Sequence, residues 1–272
     1  MSTLINILKI LVIVYLALLF LMAVFQERLI FFRQSLDRSV ATHFQEIEFQ
    51  IERNGISLHG WYVKKEVGEP SPLIIYYGGN AEEVSANLMD LDRFPPGAYL
   101  FMNYRGYGKS EGKPTETSLI EDALYVLDWM VENEGVDPKQ IILMGRSLGS
   151  GVATQVAARR TVGALILVTP FDSLVKVAQS HYPVFPVKAL IRHRFDSVKA
   201  AEKIDTPALI LMGTTDSIVP NRHSERLAEA WKGPVTKVVI DHADHLNIHL
   251  YDEYWSAIHD FVAGIGDPSQ DV

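Results

Sequence analysis

Five short, continuous apolar runs constrain this chain more than any other feature: residues 73–77, 98–102, 141–144, 164–168 and 208–212. Unbroken apolar runs of this length are the pattern of strands covered on both faces, as in parallel sheets. Helical periodicity fills the intervals at 81–91, 118–133, 148–160, 221–231 and 246–265, and 236–240 reads as a last strand. Ahead of them, 44–51 and 57–63 flank Asn54-Gly55 and read as an antiparallel hairpin at a sheet edge. Strict alternation of this kind predicts a doubly wound α/β sheet whose ligand site lies at the carboxyl ends of the strands. About 230 residues follow the amino-terminal segment, enough for one such domain, and no repeat or long linker divides them.

The amino terminus obeys a different pattern. From Leu4 to Phe25 only Asn6, Lys9 and Tyr15 interrupt the apolar residues. A helix of that length covers roughly 33 Å at about 1.5 Å per residue, enough to cross a bilayer. Residues 10–25 carry no polar stripe, which argues against a core helix, and Met22-Ala23-Val24-Phe25-Gln26 offers no small-residue cleavage pattern. The expectation is an uncleaved single-pass anchor. Arg28, Arg33 and Arg38 behind the span lean toward a cytoplasmic domain. A short leader carrying Lys9 also resembles an exported signal anchor, so both orientations stay open.

With 25 Lys plus Arg against 33 Asp plus Glu, the net charge is -8 and no cluster is strongly basic, which argues against nucleic-acid binding. The chain contains no cysteine, which excludes disulfides, thiolate nucleophiles and Cys-based metal sites.

The chemistry-bearing residues fall at strand ends. Gly145-Arg146-Ser147-Leu148-Gly149 matches G-x-S-x-G between a strand and a helix. The two glycines give room for a sharp turn that lifts Ser147 above the sheet as a nucleophile. A serine nucleophile needs a base and the base an orienting acid. Asp216 follows the strand 208–212 and His245 follows 236–240, directly before a helix. Asp172 is the second choice of acid and His242 the second choice of base. Gly78-Gly79-Asn80-Ala81 follows the strand 73–77, and the backbone amides of Asn80 and Leu148 are the expected oxyanion donors. No phosphate-loop pattern accompanies these glycines. Ser173-Leu174-Val175-Lys176 fits S-x-x-K by chance, because no S-D-N or K-T-G occurs. Residues 103–112 read as a structural loop bordering the site.

Taken in order, Gly78-Gly79-Asn80-Ala81, Tyr104-Arg105-Gly106-Tyr107-Gly108, the Ser147 turn, Asp216 and His245 resemble the α/β-hydrolase superfamily. The anchor followed by Glu27-Arg28-Leu29-Ile30-Phe31-Phe32, with Tyr182-Pro183 through Arg194-Phe195-Asp196-Ser197, resembles its Bem46-like, membrane-anchored branch, which includes the hydrolase domain-containing proteins 13 and 17. The resemblance implies an eight-stranded, mostly parallel sheet flanked by helices and a Ser147, Asp216, His245 triad. It implies hydrolysis of carboxylic esters or thioesters through an acyl-enzyme, with no cofactor and no metal.

Two departures stand out. Gly78 replaces the family's His of His-Gly-Asn, so a hydrogen bond that steadies this loop is expected to be missing. His242-Ala243-Asp244-His245 replaces Gly-x-Gly-His and puts acidic charge near the imidazole. The expected organisation is an anchor at 1–27, a connector at 28–43, a catalytic domain at 44–266 with a small lid-like insert at 171–200, and a tail at 267–272. Phe171, Tyr182, Phe185, Leu190, Ile191 and Phe195 make that insert apolar. With the anchor they suggest acyl or lipid-like substrates, although the same residues also suit plain core formation. A peptidase, an acyltransferase and a non-catalytic membrane-tethered scaffold are the alternatives on this fold.

Overall fold

The hairpin and all the apolar runs are strands in the computed structural model, which describes residues 1–64 and 71–265. Strands β1 (Glu48–Arg53) and β2 (Ile56–Lys64) pair antiparallel. Asn54 and Gly55 between them have φ of 52° and 72°, the left-handed pair that a two-residue hairpin requires. There follow β3 (Leu73–Tyr77), β4 (Ala98–Met102), β5 (Ile141–Arg146), β6 (Ala164–Val168), β7 (Ala208–Gly213) and β8 (Val235–Ile240). The helices are α1 (Ser2–Ile30), α2 (Arg38–His43), α3 (Glu116–Glu134), α4 (Leu148–Ala157), α5 (Leu174–His181), α6 (Val187–Leu190), α7 (Ser197–Ala201), α8 (Arg222–Ala230) and α9 (Asp252–Ile265).

The strands form one eight-stranded sheet in the order β1-β2-β4-β3-β5-β6-β7-β8, with only β2 antiparallel to both of its neighbours. Successive residues of the central strands face opposite sides. Ile75, Tyr77, Leu143 and Leu167 join one core with α3 and α4, while Ile74, Tyr76, Met144 and Val168 join a second core with α9. The chain leaves β3 toward β4 on one side and returns to β5 on the other, so the carboxyl ends of β3 and β5 flank the topological switch point. A crevice opens there in folds of this class.

Three sequence expectations shift. The strand expected from residue 44 starts at Glu48, because α2, capped by the Asp37 carboxylate, and a single 3₁₀ turn at Gln45–Ile47 occupy the preceding residues. The helix expected at 81–91 is a 3₁₀ helix, Val84–Arg93. Ala81 sits at φ 57° and Glu82 and Glu83 turn back to bond Gly79 and Asn103, so regular winding begins only at Val84. The helix expected at 246–265 is broken. The Asp244 carboxylate accepts from the amides of Leu246 and Asn247, a 3₁₀ turn follows at Ile248–Leu250, and α9 starts at Asp252. The expected tail at 267–272, with residue 266, lies outside the described residues.

Asp122 of α3 ties the edge hairpin to the loop after β4. Its oxygens accept from Arg53 at 2.8 Å and twice from Arg105, at 2.5 and 2.6 Å. Its side chain is 10% exposed, so truncation leaves two guanidinium groups poorly solvated. Asp122→Ala is expected to cost about 3 kcal/mol, read as a lower urea midpoint at unchanged slope.

Where α3 begins, the Glu116 amide donates to Nδ1 of buried His193 at 3.2 Å. Burial lowers the pKa of His193 from its ordinary 6.5, and burial lowers those of His59 and His249 in the same way. The unfolded chain therefore takes up protons that the folded one resists. The stability these neutral imidazoles carry is full above about pH 6.5 and falls as pH drops through and below it. The melting temperature is expected to fall between about pH 7.5 and about pH 5.5, and His193→Gln to flatten part of that fall.

Candidate active site

Ser147 sits on the tight turn between β5 and α4 with φ 49° and ψ -113°, a strained conformation for a residue with a side chain. The turn closes because both flanking glycines lie against backbone. A Cβ on Gly145 would overlap the Gly149 carbonyl, and one on Gly149 would overlap the Tyr77 carbonyl at the end of β3. The Ser147 amide donates to Val168 O at 2.9 Å, and the Ser150 amide and hydroxyl both donate back to Ser147 O.

The loops after β7 and β8 bring their residues to the same rim. His245 Nε2 lies 2.9 Å from Ser147 Oγ, and His245 Nδ1 lies 2.8 Å from Asp216 Oδ2. A carboxylate only accepts, so Nδ1 carries the proton toward Asp216 and Nε2 is left to accept from the serine hydroxyl. The second carboxylate oxygen of Asp216 accepts from the amides of Ile218 and Val219 at 2.9 and 2.8 Å. Those donors fix the direction of the carboxylate. Thr215 stitches the two loops together by donating twice to Ala243 O.

The second-choice residues lie elsewhere. Asp172 is fully buried and bonds His223 Nδ1 at 2.8 Å, with Lys176 and Arg226 alongside. His242 is exposed and pairs with Asp241. In the S-x-x-K stretch, Ser173 caps α5 by accepting from the Lys176 amide, and Lys176 Nζ faces Asp172.

The loop at 78–81 stands beside the serine turn, since a Cβ on Gly79 would come within 3.9 Å of Ser147 Cβ. Among the described residues, neither the Asn80 nor the Leu148 amide donates to a protein acceptor. The expected lack of a steadying hydrogen bond at Gly78 is made good by other residues. Tyr104 Oη donates to Gly78 O at 2.8 Å, the Gly79 amide donates to Glu82 Oε2 at 2.6 Å, and Tyr107 Oη donates to Asn80 Oδ1 at 3.0 Å. Burial first, and Glu82 second, push the Tyr104 pKa well up, so its hydroxyl stays a donor. The 103–112 segment is thus a structural loop bordering the site. Likewise Asp244 spends its charge on the amides that follow it. Hydrogen bonds from Asn247 and Leu246 hold its pKa below the ordinary 3.8.

Sequence reasoning missed three contributors. Arg146, the variable residue of the turn, donates to the carbonyls of His245 and Leu246 at 3.1 and 3.2 Å and faces Glu82. Burial opposes its charge, but Tyr76 and Glu82 outweigh that and raise its pKa. The side chain of Asn80 is clamped by the segment leaving α1: its Nδ2 donates to Ile30 O at 2.5 Å and its Oδ1 accepts from the Phe32 amide at 3.0 Å. The third contributor is α1 itself. A cavity of about 570 Å³ opens at Ser147, Leu148 and Asn80. Phe171, Tyr182, Phe185, Leu190 and Ile191 of the insert line it, whereas Phe195 is buried in the core. Met22, Gln26, Leu29 and Ile30 of α1 form another wall. Their spacing of four, three and one places them on one helical face that starts inside the apolar run and continues past its end at Phe25.

Comparison with known proteins agrees with this fold. The family model described as an alpha/beta hydrolase domain matches residues 98–249. An uncharacterised protein of Mycobacterium tuberculosis is 34% identical over 206 residues, 74% of this chain and 72% of that protein. The human alpha/beta hydrolase domain-containing protein 17B is 30% identical over 190 residues, 69% of this chain and 60% of that protein. Among solved structures, Est1E from Butyrivibrio proteoclasticus, with ferulic acid bound, superposes with a TM-score of 0.63 at 22% identity, covering 79% of this chain and 98% of that one.

Proposed function

The chain belongs to the α/β-hydrolase family, and on that premise we propose that it is a membrane-anchored serine hydrolase cleaving carboxylic ester or thioester bonds of apolar acyl substrates. One observation carries the reading: the hydrogen-bonded series Asp216, His245, Ser147 ends at the mouth of an apolar cavity. His245 Nε2 takes the hydroxyl proton as Ser147 Oγ attacks the acyl carbon, while Asp216 holds the tautomer and stabilises the imidazolium. The oxyanion is received by the amides of Asn80 and Leu148. Collapse of the tetrahedral species breaks the bond to the alcohol or thiol, which leaves with the proton from His245. Water then attacks the acyl-enzyme, giving its proton to His245, and the second collapse returns that proton to Ser147 as the carboxylic acid departs.

The acyl preference rests on the cavity, whose volume lies in the range of small-molecule sites and whose walls are almost all hydrocarbon. Est1E, found with a carboxylic acid bound, is consistent with acyl chemistry on this fold. Anchoring rests on α1, 29 residues long, whose most apolar 18-residue window has a mean hydropathy of 2.9 and holds no buried residue. At about 1.5 Å per residue it exceeds the roughly 30 Å of a bilayer core.

The test is turnover of a series of nitrophenyl esters and acyl thioesters by the full-length protein in lipid nanodiscs. Rates are expected to rise from acetyl to medium and long acyl chains, with free acid as product even when an alcohol is added. Transfer of the acyl group to the alcohol would make the protein an acyltransferase. Absence of both turnover and fluorophosphonate labelling would overturn the reading.

A further inference from the structure

The insert touches α1 not only at its end but halfway along the stretch read as the membrane span. Tyr15 stacks on Phe185 with ring centroids 5.7 Å apart, and its hydroxyl donates to Val184 O at 2.9 Å. Tyr15 lies ten residues before Phe25, so this contact is about 15 Å along the helix from the end of the apolar run, roughly the depth of one leaflet's hydrocarbon. A segment docked there shares the solvent of the helix it docks against.

Residues 182–186, Tyr182-Pro183-Val184-Phe185-Pro186, are suited to that solvent. Tyr182 and Val184 are 51% and 72% exposed, and no charged side chain lies in the segment. In hydrocarbon, backbone polar groups must be satisfied within the protein. Gln179 Nε2 shares its two hydrogens among the carbonyls of Tyr182, Pro183 and Phe185, 3.0 to 3.4 Å away, and Tyr15 donates to that of Val184. The Tyr182 and Phe185 amides are bonded and the two prolines have none, which leaves only the Val184 N–H without a partner among the described residues. Nearer the domain the character changes. Arg192 Nη2 donates to Ala23 O, Arg194 reaches Lys188 O, and Arg28, next to Glu27, follows five residues after Ala23 on α1. A basic collar above an apolar tip is the arrangement that suits anionic headgroups above acyl chains.

The cavity runs from the tip, where Tyr182 and Phe185 line it, past the level of the collar to Ser147. Its α1 wall, from Met22 to Ile30, covers about 12 Å at the headgroup end of the span, and Phe32 and Asn80 lie beyond, beside Ser147. We infer that residues 182–186 insert into the leaflet that α1 crosses, so that the cavity opens to the bilayer hydrocarbon between α1 and the insert and loads an acyl chain directly from the membrane. The loading step rests on the proposed hydrolase reading; the insertion does not.

Since the chain has no cysteine, a single thiol can be placed at will. Val184→Cys, Val12→Cys and Glu132→Cys are each labelled with an environment-sensitive fluorophore, and the full-length protein is reconstituted in phosphatidylcholine and phosphatidylglycerol vesicles. Quenchers are lipids spin-labelled at mid-acyl or headgroup positions, and aqueous iodide. The Val184 label is expected to be quenched by the mid-acyl lipid within about twofold of the Val12 label and shielded from iodide, with the Glu132 label on α3 showing the reverse. Val184 quenching that matches Glu132, or comes from the headgroup lipid alone, would overturn insertion whatever the enzyme's activity. Loading is read separately with Val184→Asp, a residue that does not line the cavity. Turnover of a long-chain ester held in vesicles is expected to drop about tenfold or more, with a soluble short-chain ester unaffected. Equal wild-type rates on both substrates would overturn loading from the bilayer.

Discussion

Ser147→Ala is expected to abolish fluorophosphonate labelling and to lower kcat for ester hydrolysis by on the order of a million-fold, with KM little changed. The hydroxyl contributes only once the acyl carbon is attacked, so its loss removes stabilisation of the transition state while the cavity still binds the acyl chain. His245→Ala is expected to cost nearly as much, and the double variant no more than either single one, because nucleophile and base act as one unit across their 2.9 Å contact. Asp216→Asn keeps the shape but places a donor where Nδ1–H needs an acceptor. A loss of about ten-thousand-fold follows, with near-wild-type stability. Steady-state rates, labelling and thermal melts on the same preparations check all of this. A Ser147→Ala protein that is still labelled would refute the assignment of the nucleophile.

Gly149→Ala is the second large effect, and it acts through the fold. The added Cβ would fall on the Tyr77 carbonyl and close to that of Gly78, both backbone atoms at the end of β3. Neither can move without parting β3 from β5, which pair throughout this region. A flexible neighbour would yield for a few tenths of a kcal/mol. Here overpacking against rigid strand ends is expected to cost about 3 kcal/mol or more. Because Gly78 and Gly79 lead into Asn80, displacement of this loop also moves an expected oxyanion donor. The measurable outcome is a lower denaturation midpoint together with loss of labelling in the protein that remains folded. Gly135→Ala is a useful contrast: its Cβ would meet nothing within 4 Å, and only the φ of 67° at the end of α3 is costly. A loss of about 1 kcal/mol with full labelling is expected there.

Which parts were legible in the amino-acid sequence follows from the range of the forces involved. Strand positions were legible because burial on both sheet faces leaves an unbroken apolar run, as at 73–77 and 164–168. The serine turn was legible because steric exclusion between near neighbours demands glycine at fixed offsets, at Gly145 and Gly149. Local rules failed where a side chain was drawn away by a distant partner. Glu82, turned toward Gly79 and Tyr76, delays the helix expected at 81, and Asp244 interrupts the one expected at 246. The choice between Asp216 and Asp172 shows the limit well. Both follow strands of the same sheet, and only the fold decides that one meets His245 while the other is enclosed with His223.

For this protein, then, the sequence by itself determined the α/β class, the edge hairpin, the apolar amino-terminal helix and the identities of Ser147, Asp216 and His245 as candidates. Each leaves a short-range imprint, either periodic burial or a turn that tolerates few residues. Only the tertiary structure decided that α1 is a wall of the cavity, that Ile30 and Phe32 hold Asn80, and that Tyr15 meets Val184. Those contacts join residues 48 to 169 positions apart. An apolar face that packs on the domain and one that does not are written in the same kinds of residue, so only the place where the chain folds back tells them apart.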